Sequence, residues 1–320
     1  MRAAIATKYG SPDVIQVKDI PKPLPNDDEV LIRIKASTVN RTDYGFLSAE
    51  YFIGRFWSGL IRPKNQTLGC EFAGEVESVG KNVTEFQPED RVFGYDDKQF
   101  GGHAEYKTIR ASGAIAHLPS SLSFDTAAAL TEGAHYALCD IRAAKITRGQ
   151  RVCVNGGTGA IGSSAIQLLK YMGVEVTAVC HTDHLQLVKS LGADTVIDYT
   201  QEDFTLRNEQ FDVVFDAVGK STFGKCKRIL TKRGIYISTE LGPGSQNPFL
   251  AMITPITGGK KVLFPIPSIT KYDVEYLKEC ADLGAFKPVI DRHYSLERIA
   301  DAYRYVQTGM KTGNVIIRFD

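Results

Sequence analysis

No two cysteines in this sequence stand in a C-x-x-C spacing and no two histidines in H-x-x-x-H, so a zinc site assembled from sequence neighbours is not expected. The six cysteines (Cys70, Cys139, Cys153, Cys180, Cys226 and Cys280) are scattered, several inside apolar strand or helix patterns. They read as buried free thiols in a reducing compartment. No apolar run is long enough to span a bilayer, and Lys8 interrupts the N-terminus before a signal-peptide core can form. Nor is charge of either sign in excess. With 38 Lys and Arg against 37 Asp and Glu, the net charge of +1 gives no electrostatic reason to expect nucleic acid or an anionic membrane as partner. Repeats and low-complexity segments are also absent. A soluble cytoplasmic protein is the expectation, and 320 residues suffice for one large or two medium domains.

What is present is a glycine loop in context. Val152-Cys153-Val154-Asn155 reads as a buried strand, Gly157-x-Gly159-x-x-Gly162 follows, and Ile161, Ala165, Ile166, Leu168 and Leu169 continue at helical spacing. In a dinucleotide site Gly157 permits the tight turn, Gly159 lets the backbone approach a pyrophosphate, and Gly162 lets helix and strand pack closely. Thr158, Ala160 and Ile161 complete the loop, whose helix N-terminus offers N–H groups to phosphate. The alternative is an ordinary strand-turn-helix.

Residues 1–120 are β-rich, with strand patterns at Val30–Ala36, Glu71–Val79, Arg91–Gly94 and Ala104–Thr108. Ser123 and Asp125 are candidate helix caps. From 151 onward strands (151–155, 174–180, 194–198, 212–216, 234–238) alternate with helices (160–172, 183–191, 221–230), which implies a parallel sheet. Lys260–Phe264 is a further candidate strand, and the chain closes with a helix at 296–306 and a strand at 314–319.

The ordered motifs Ala36-Ser37-Thr38-Val39-Asn40-x-x-Asp43, Gly69-x-Glu71-x-x-Gly74-x-Val76, Asp90-x-Val92, Gly101-Gly102-x-Ala104-Glu105-Tyr106, the glycine loop, Leu191-Gly192-Ala193-Asp194 and Phe211-Asp212-Val213-Val214-Phe215-Asp216-x-Val218-Gly219 run along nearly the whole chain. In them the sequence resembles the medium-chain dehydrogenase/reductase superfamily, specifically its zinc-free quinone-oxidoreductase-like branch. The resemblance implies an α/β protein. Its doubly wound parallel Rossmann sheet, residues 121–264, would be inserted in a β-rich GroES-like catalytic domain formed by 1–120 and 265–320. Zinc-dependent relatives carry a cysteine near the position of Asn40 and a histidine where Cys70 stands, and the structural-zinc lobe has no counterpart here. No metal is expected.

The resemblance also places Asn40 beside the nicotinamide; its other reading is a loop asparagine capping the following turn. Tyr44 and Tyr51 belong to an aromatic, glycine-punctuated segment suited to walling a flat apolar substrate, where a tyrosine hydroxyl would meet a developing oxyanion. Aromatic packing or a dimer contact is the alternative. Glu71 reads as a buried, hydrogen-bonded strand carboxylate. Past the second strand, His181, Thr182 and His184, with Tyr199 downstream, are candidates to bond a 2′-phosphate, and no carboxylate stands at the strand tip itself, which favours NADP(H) over NAD(H). Asp183 works against that choice, as does Gly313-Asn314 in place of the family's Gly-Lys turn. An N-cap role for Thr182 or Asp183 is the alternative to ligand contact. Val218, Gly219, Leu241 and Gly242 complete the expected cofactor contacts.

Together these features imply a zinc-independent NADP(H)-dependent oxidoreductase that transfers hydride to a quinone or α,β-unsaturated carbonyl. A zinc-free alcohol or aldehyde oxidoreductase and a catalytically silent NADPH-binding sensor are the rivals. A homodimer is the family expectation, with Lys260–Pro267 as the candidate edge.

Overall fold

The computed structural model describes residues 1–49 and 55–319. It divides into two compact units: Met1–Glu132 with Ile269–Asp282 and Pro288–Asp320, and Gly133–Ser268 with Leu283–Lys287.

The first unit begins with an antiparallel hairpin of β1 (Arg2–Ala6) and β2 (Ile15–Asp19). A long strand, β3 (Glu29–Val39), is buried over most of its length and runs into helix α1 (Arg41–Ser48). After the short α2 (Arg55–Ser58) come β4 (Glu71–Val79), β5 (Arg91–Tyr95), β6 (Tyr106–Arg110) and β7 (Ile115–His117). Ser123 caps α3 (Phe124–Ala128) by accepting the Thr126 N–H, as its sequence position suggested. Helix α4 (Glu132–Ala143) starts at the last residue of this segment.

The second unit alternates strand and helix: β8 (Arg151–Asn155), α5 (Ala160–Tyr171), β9 (Glu175–Cys180), α6 (Leu185–Ser190), β10 (Thr195–Asp198), β11 (Phe211–Asp216), α7 (Phe223–Cys226), β12 (Leu230–Ser238), α8 (Gln246–Thr257) and β13 (Lys261–Leu263). Its six strands are all parallel, in the order β10-β9-β8-β11-β12-β13. Counted from β8 that order is 3-2-1-4-5-6, the doubly wound Rossmann arrangement, with the crevice for a ligand where the order reverses between β8 and β11. Strands buried on both faces need continuous apolar runs, and β8 (Val152, Cys153, Val154) and β11 (Val213, Val214, Phe215) supply them. Two elements depart from the sequence reading. The helix expected at 221–230 is only one turn of α-helix and one of 3-10 helix before β12 begins at Leu230, and α8 was not anticipated.

The chain then returns to the first unit through α9 (Lys271–Asp282), β14 (Ile290–Ser295), α10 (Ile299–Gln307) and β15 (Asn314–Arg318). The seven-stranded sheet runs β14-β15-β3-β4-β5-β7, with β6 also pairing β3. Strand β15 pairs antiparallel with the C-terminal part of β3 (Val315 opposite Val39), and β6 with its N-terminal part, so β3 organises the unit. Its apolar core gathers Val39, Leu47, Leu68, Tyr95, Phe100, Tyr303, Val306 and Ile317.

Candidate active site

In the second unit the glycine loop follows β8 directly. Gly156 takes φ 86°, and the N–H groups of Gly156 and Gly157 both donate to the Val179 carbonyl, at 3.1 and 3.0 Å. The left-handed residue of the turn is therefore Gly156, not Gly157. A Cβ on Gly156 would lie 1.9 Å from Val218 Cγ1, so the loop and Val218 pack against each other. Gly162 fills its expected role: a Cβ there would sit 2.1 Å from the Gly156 carbonyl oxygen. Gly159 is the N-cap of α5, and the space over it is open, the nearest atom to a Cβ being 3.9 Å away. The N–H groups of Ala160, Ile161 and Gly162 have no internal partner among the described residues, as a helix start requires, and Thr158 is partly exposed beside them.

A buried carboxylate holds this edge of the sheet. Asp216, at the end of β11, accepts from Asn155 Nδ2 (2.9 Å), the Ser221 N–H (2.9 Å), the Tyr236 hydroxyl (2.9 Å) and the Val218 N–H (3.4 Å). Asn155 and Ser238 are its register partners on β8 and β12, so one side chain ties together three strand ends and the Val218–Gly219 turn. Gly219 turns at φ 64° against the Glu240 side chain, and Gly242 at φ 72° against Asn247, whose N–H donates to Leu241.

At the tip of β9, His181 Nδ1 accepts the Asp183 N–H at 3.3 Å, and its ring meets Tyr199 edge-on (centroids 5.7 Å) and His184 (6.5 Å). Thr182 is not free: its hydroxyl donates to Asp198 at 2.5 Å and lies 2.9 Å from the Thr200 hydroxyl. Asp198 ends β10 opposite Cys180, so a carboxylate does stand beside the strand tip, brought there by sheet register. The hydroxyls of Thr182 and Thr200 hold its pKa below the usual carboxylate range.

In the first unit a buried polar cluster surrounds the start of α1. Asn40 is its N-cap: the Asn40 N–H donates to Asp43 Oδ2 at 2.9 Å. The side chain meanwhile works elsewhere. Nδ2 donates to Glu71 Oε2 (3.0 Å), Asn314 Oδ1 (3.1 Å) and Thr38 Oγ1 (3.3 Å), while Oδ1 accepts from Lys311 Nζ (2.9 Å). Glu71, fully buried as expected, accepts four more bonds: Thr38 hydroxyl (2.6 Å), Thr131 hydroxyl (2.7 Å), and the N–H groups of Glu132 (2.7 Å) and Thr131 (3.0 Å). Burial pushes the Glu71 carboxyl up, and these donors pull against it.

Two further acids crowd the same volume. Burial raises Asp43 to about 7, against the pull of the Asn40 and Cys70 N–H groups. Burial, then the charges of Asp43 and Glu71, lifts Glu132 well above the carboxylate range, and its buried Oε2 has no hydrogen-bond partner. Burial likewise raises the Cys70 thiol, with Asp43 adding to the effect. His103 lies beneath, its Nε2 2.7 Å from the Thr38 carbonyl and its Nδ1 3.3 Å from the Tyr303 hydroxyl. A carbonyl only accepts, so Nε2 carries the proton and Nδ1 receives the tyrosine's. Burial lowers His103 to about 4, which keeps it neutral.

Tyr44, on α1 and partly buried against the core, has a hydroxyl with no protein partner among the described residues. Tyr51 lies outside the described residues.

Comparison with known proteins converges on one family. Residues 26–120 match the alcohol dehydrogenase GroES-like domain and residues 191–317 the zinc-binding dehydrogenase family. The chain is 33% identical to 2-methylene-furan-3-one reductase of Solanum lycopersicum, over 99% of this chain and 79% of that one. The chain belongs to the medium-chain dehydrogenase/reductase superfamily, in its quinone-oxidoreductase-like branch. Similarity of 30%, over 99% of this chain and 79% of the relative, extends to the NADPH-dependent alkenal/one oxidoreductase, chloroplastic, of Arabidopsis thaliana. Among solved structures, the quinone oxidoreductase from Coxiella burnetii superposes with a TM-score of 0.89 at 25% identity, covering 100% of this chain and 99% of that one.

As a member of this superfamily the chain is an oxidoreductase that uses a nicotinamide cofactor. Sequence reasoning singled out the loop glycines and Asn40, and read Glu71 as a buried, hydrogen-bonded carboxylate. It missed Gly156, for which the Asn155-Gly156 pair was a turn signal. Asn155 and Asp216 as a pair, Asp198, Glu132, Lys311 and Asn314 were missed too, because only three-dimensional pairing brings them to their sites.

Proposed function

We propose that this oxidoreductase is zinc-independent, prefers NADP(H), and reduces a quinone or an α,β-unsaturated carbonyl. The observation that carries the first part is the donor chemistry at the two positions where zinc-dependent relatives hold metal. Asn40 presents its carbonyl oxygen to the Lys311 ammonium at 2.9 Å, so a cation already takes that lone pair. Cys70 is a lone thiol there, and among the described residues no group of three His, Cys, Asp or Glu able to hold a metal ion includes it. The residues present do not fit the metal.

They do fit a dinucleotide. The open face over Gly159 and the unpaired N–H groups of Ala160, Ile161 and Gly162 suit a pyrophosphate. His181, His184 and Tyr199 stand together at the tip of β9, a cluster suited to a 2′-phosphate, while the Asp198 carboxylate is bonded to Thr182 and Thr200. When bound, the cofactor supplies the hydride. The protein's part is to bind it, to orient the acceptor through the polar cluster that Asn40 organises or through the unpaired Tyr44 hydroxyl, and to exclude water. The names of the tomato and Arabidopsis relatives support an enone or alkenal as acceptor, and that of the Coxiella structure a quinone.

Fluorescence titration with NADPH and NADH, then turnover against quinones and enones, tests the reading. Tight NADPH binding with acceptor-dependent oxidation is expected. Preference for NADH would refute the cofactor assignment, and binding without turnover on any acceptor would refute the activity.

A homodimer belongs to the same proposal. Strand β13 is the edge of the parallel sheet, and neighbouring α8 exposes Phe249, Met252, Ile253 and Ile256 along one face, an apolar stripe of the kind that marks an interface. A cytoplasmic location is supported by six cysteines that are all unpaired, and no described helix is long and apolar enough to cross a membrane.

A further inference from the structure

The polar cluster of the first unit holds more acid than base. Asp43, Glu71 and Glu132 are buried together, and the cation that acts on all three is Lys311. Glu71 is saturated with donors, but Glu132 keeps one buried oxygen unpaired, and its electrostatic influence falls on the lysine. The Lys311 ammonium has three N–H donors. Two are placed, on Asn40 Oδ1 and on the Gly313 carbonyl, and among the described residues the third has no partner.

The backbone around this lysine is fixed. The Thr312 N–H donates to Asp291 at 2.9 Å, and Asp291 is itself held by the Tyr305 hydroxyl at 2.6 Å. Gly313 turns at φ 67°, where a Cβ would fall 2.2 Å from the Val289 carbonyl oxygen, and the Asn314 N–H returns to that oxygen at 2.8 Å. A purely structural lysine gains little from so constrained an anchor, whereas one that must hold a charge in place gains precision.

We propose that Lys311 is a catalytic residue: its free N–H binds the carbonyl oxygen of the substrate and stabilises the negative charge that develops there when hydride arrives at the conjugated carbon. This rests on the proposed reduction of an enone or quinone. The hydride's electron pair forms the new C–H bond, the π electrons move onto the oxygen, and solvent supplies the proton that completes the product. Burial works against the ammonium's charge, and Glu132, Glu71, Asp291 and Asp43 work to keep it. The acid surplus thereby acquires a role, since it holds a cation ready beside Asn40.

Two variants separate this role from packing. Lys311→Met removes charge and donor, while Lys311→Gln removes the charge but keeps an N–H for Asn40, so it carries the test if the first variant unfolds. With but-3-en-2-one as acceptor, each folded variant should lower kcat by about 100–1000-fold, the loss typical of one oxyanion donor, with NADPH affinity near wild type. A second readout needs neither cofactor nor turnover. Bound 4-nitrophenol should ionise more readily on the wild type, its phenolate-to-phenol ratio at least about tenfold above that on Lys311→Gln, one pK unit. A Lys311→Gln variant that keeps kcat within about threefold, or that binds the phenolate as wild type does, overturns the proposal. If the wild type reduces no enone or quinone, the parent reading fails, and the nitrophenol comparison still decides whether Lys311 forms an oxyanion site.

Discussion

Three glycines of the loop after β8 should respond to alanine in three different ways, because the space around each differs. At Gly159 the backbone is already compatible with alanine (φ −69°), and the nearest atom to an added Cβ lies 3.9 Å away. Stability should change by no more than about 0.5 kcal/mol, the small gain in unfolded-state entropy offsetting the weaker cap. At Gly162 the methyl would meet backbone, 2.1 Å from Gly156 O and 2.9 Å from Gly156 C, which cannot yield without opening the turn. Overpacking of this kind costs about 1–3 kcal/mol, partly offset by roughly 1 kcal/mol of better helix propensity. Gly156 combines a φ of 86° with a side chain 1.9 Å away and should be the worst, at about 3 kcal/mol or more. At about 2–4 °C per kcal/mol, differential scanning calorimetry should find melting unchanged for Gly159→Ala, and lowered for Gly162→Ala and still further for Gly156→Ala. NADPH titration should give a different order, with Gly159→Ala losing at least about tenfold in affinity because its methyl occupies the pyrophosphate's approach. Unchanged affinity in Gly159→Ala, or wild-type melting in Gly162→Ala, would refute the reasoning from these distances.

Replacing Glu71 by Gln turns one acceptor oxygen into a donor facing Asn40 Nδ2 and the Thr38 hydroxyl. Two charge-assisted bonds are lost, so urea denaturation should show a loss of about 3 kcal/mol, and a loss below about 1 kcal/mol would mean the cluster rearranges freely. His103 gives a pH signature. The unfolded imidazole binds a proton below 6.5 and the folded one only below about 4, so its contribution is complete above 6.5 and lost as pH falls to about 4. That loss amounts to about 3 kcal/mol, and stability of His103→Gln followed over the same window should fall less steeply than wild type. Finally, Met252→Glu with Ile256→Glu places charge on the α8 stripe; sedimentation velocity should show the proposed dimer dissociating, and an unaltered dimer would put the interface elsewhere.

The parallel sheet was legible because strands buried on both faces leave continuous apolar runs. The loop glycines were legible because their spacing is local. Strand β8 falls at residues 151–155 as read, and α5 within a residue of its expected end. Helix α8 was not legible, since its exposed Phe249, Met252 and Ile256 blur the polar face that marks a surface helix. The same limit applies to the sites. Asn40 and Glu71 announce themselves in motifs, but Lys311 and Asn314 reach Asn40 across more than 270 residues, and Asp198 reaches Thr182 only through the register of β10 on β9. No window of sequence contains those pairs.

The split of the first unit also bears on the order in which a growing chain acquires its parts. Apart from Leu283–Lys287, the parallel-sheet unit is complete once Ser268 has emerged from the ribosome. The other unit must wait, because β15 follows Ser268 in the chain. Until then the Ala36–Val39 segment of β3 has an open edge where β15 will pair, and Asn40 lacks both Lys311 and Asn314. A nascent chain can therefore build its glycine loop well before the polar cluster around Asn40 is complete. Loss of β15 would remove the strand that pairs with Val39 and the partner Asn314 of Asn40, while leaving the parallel sheet and its glycine loop intact.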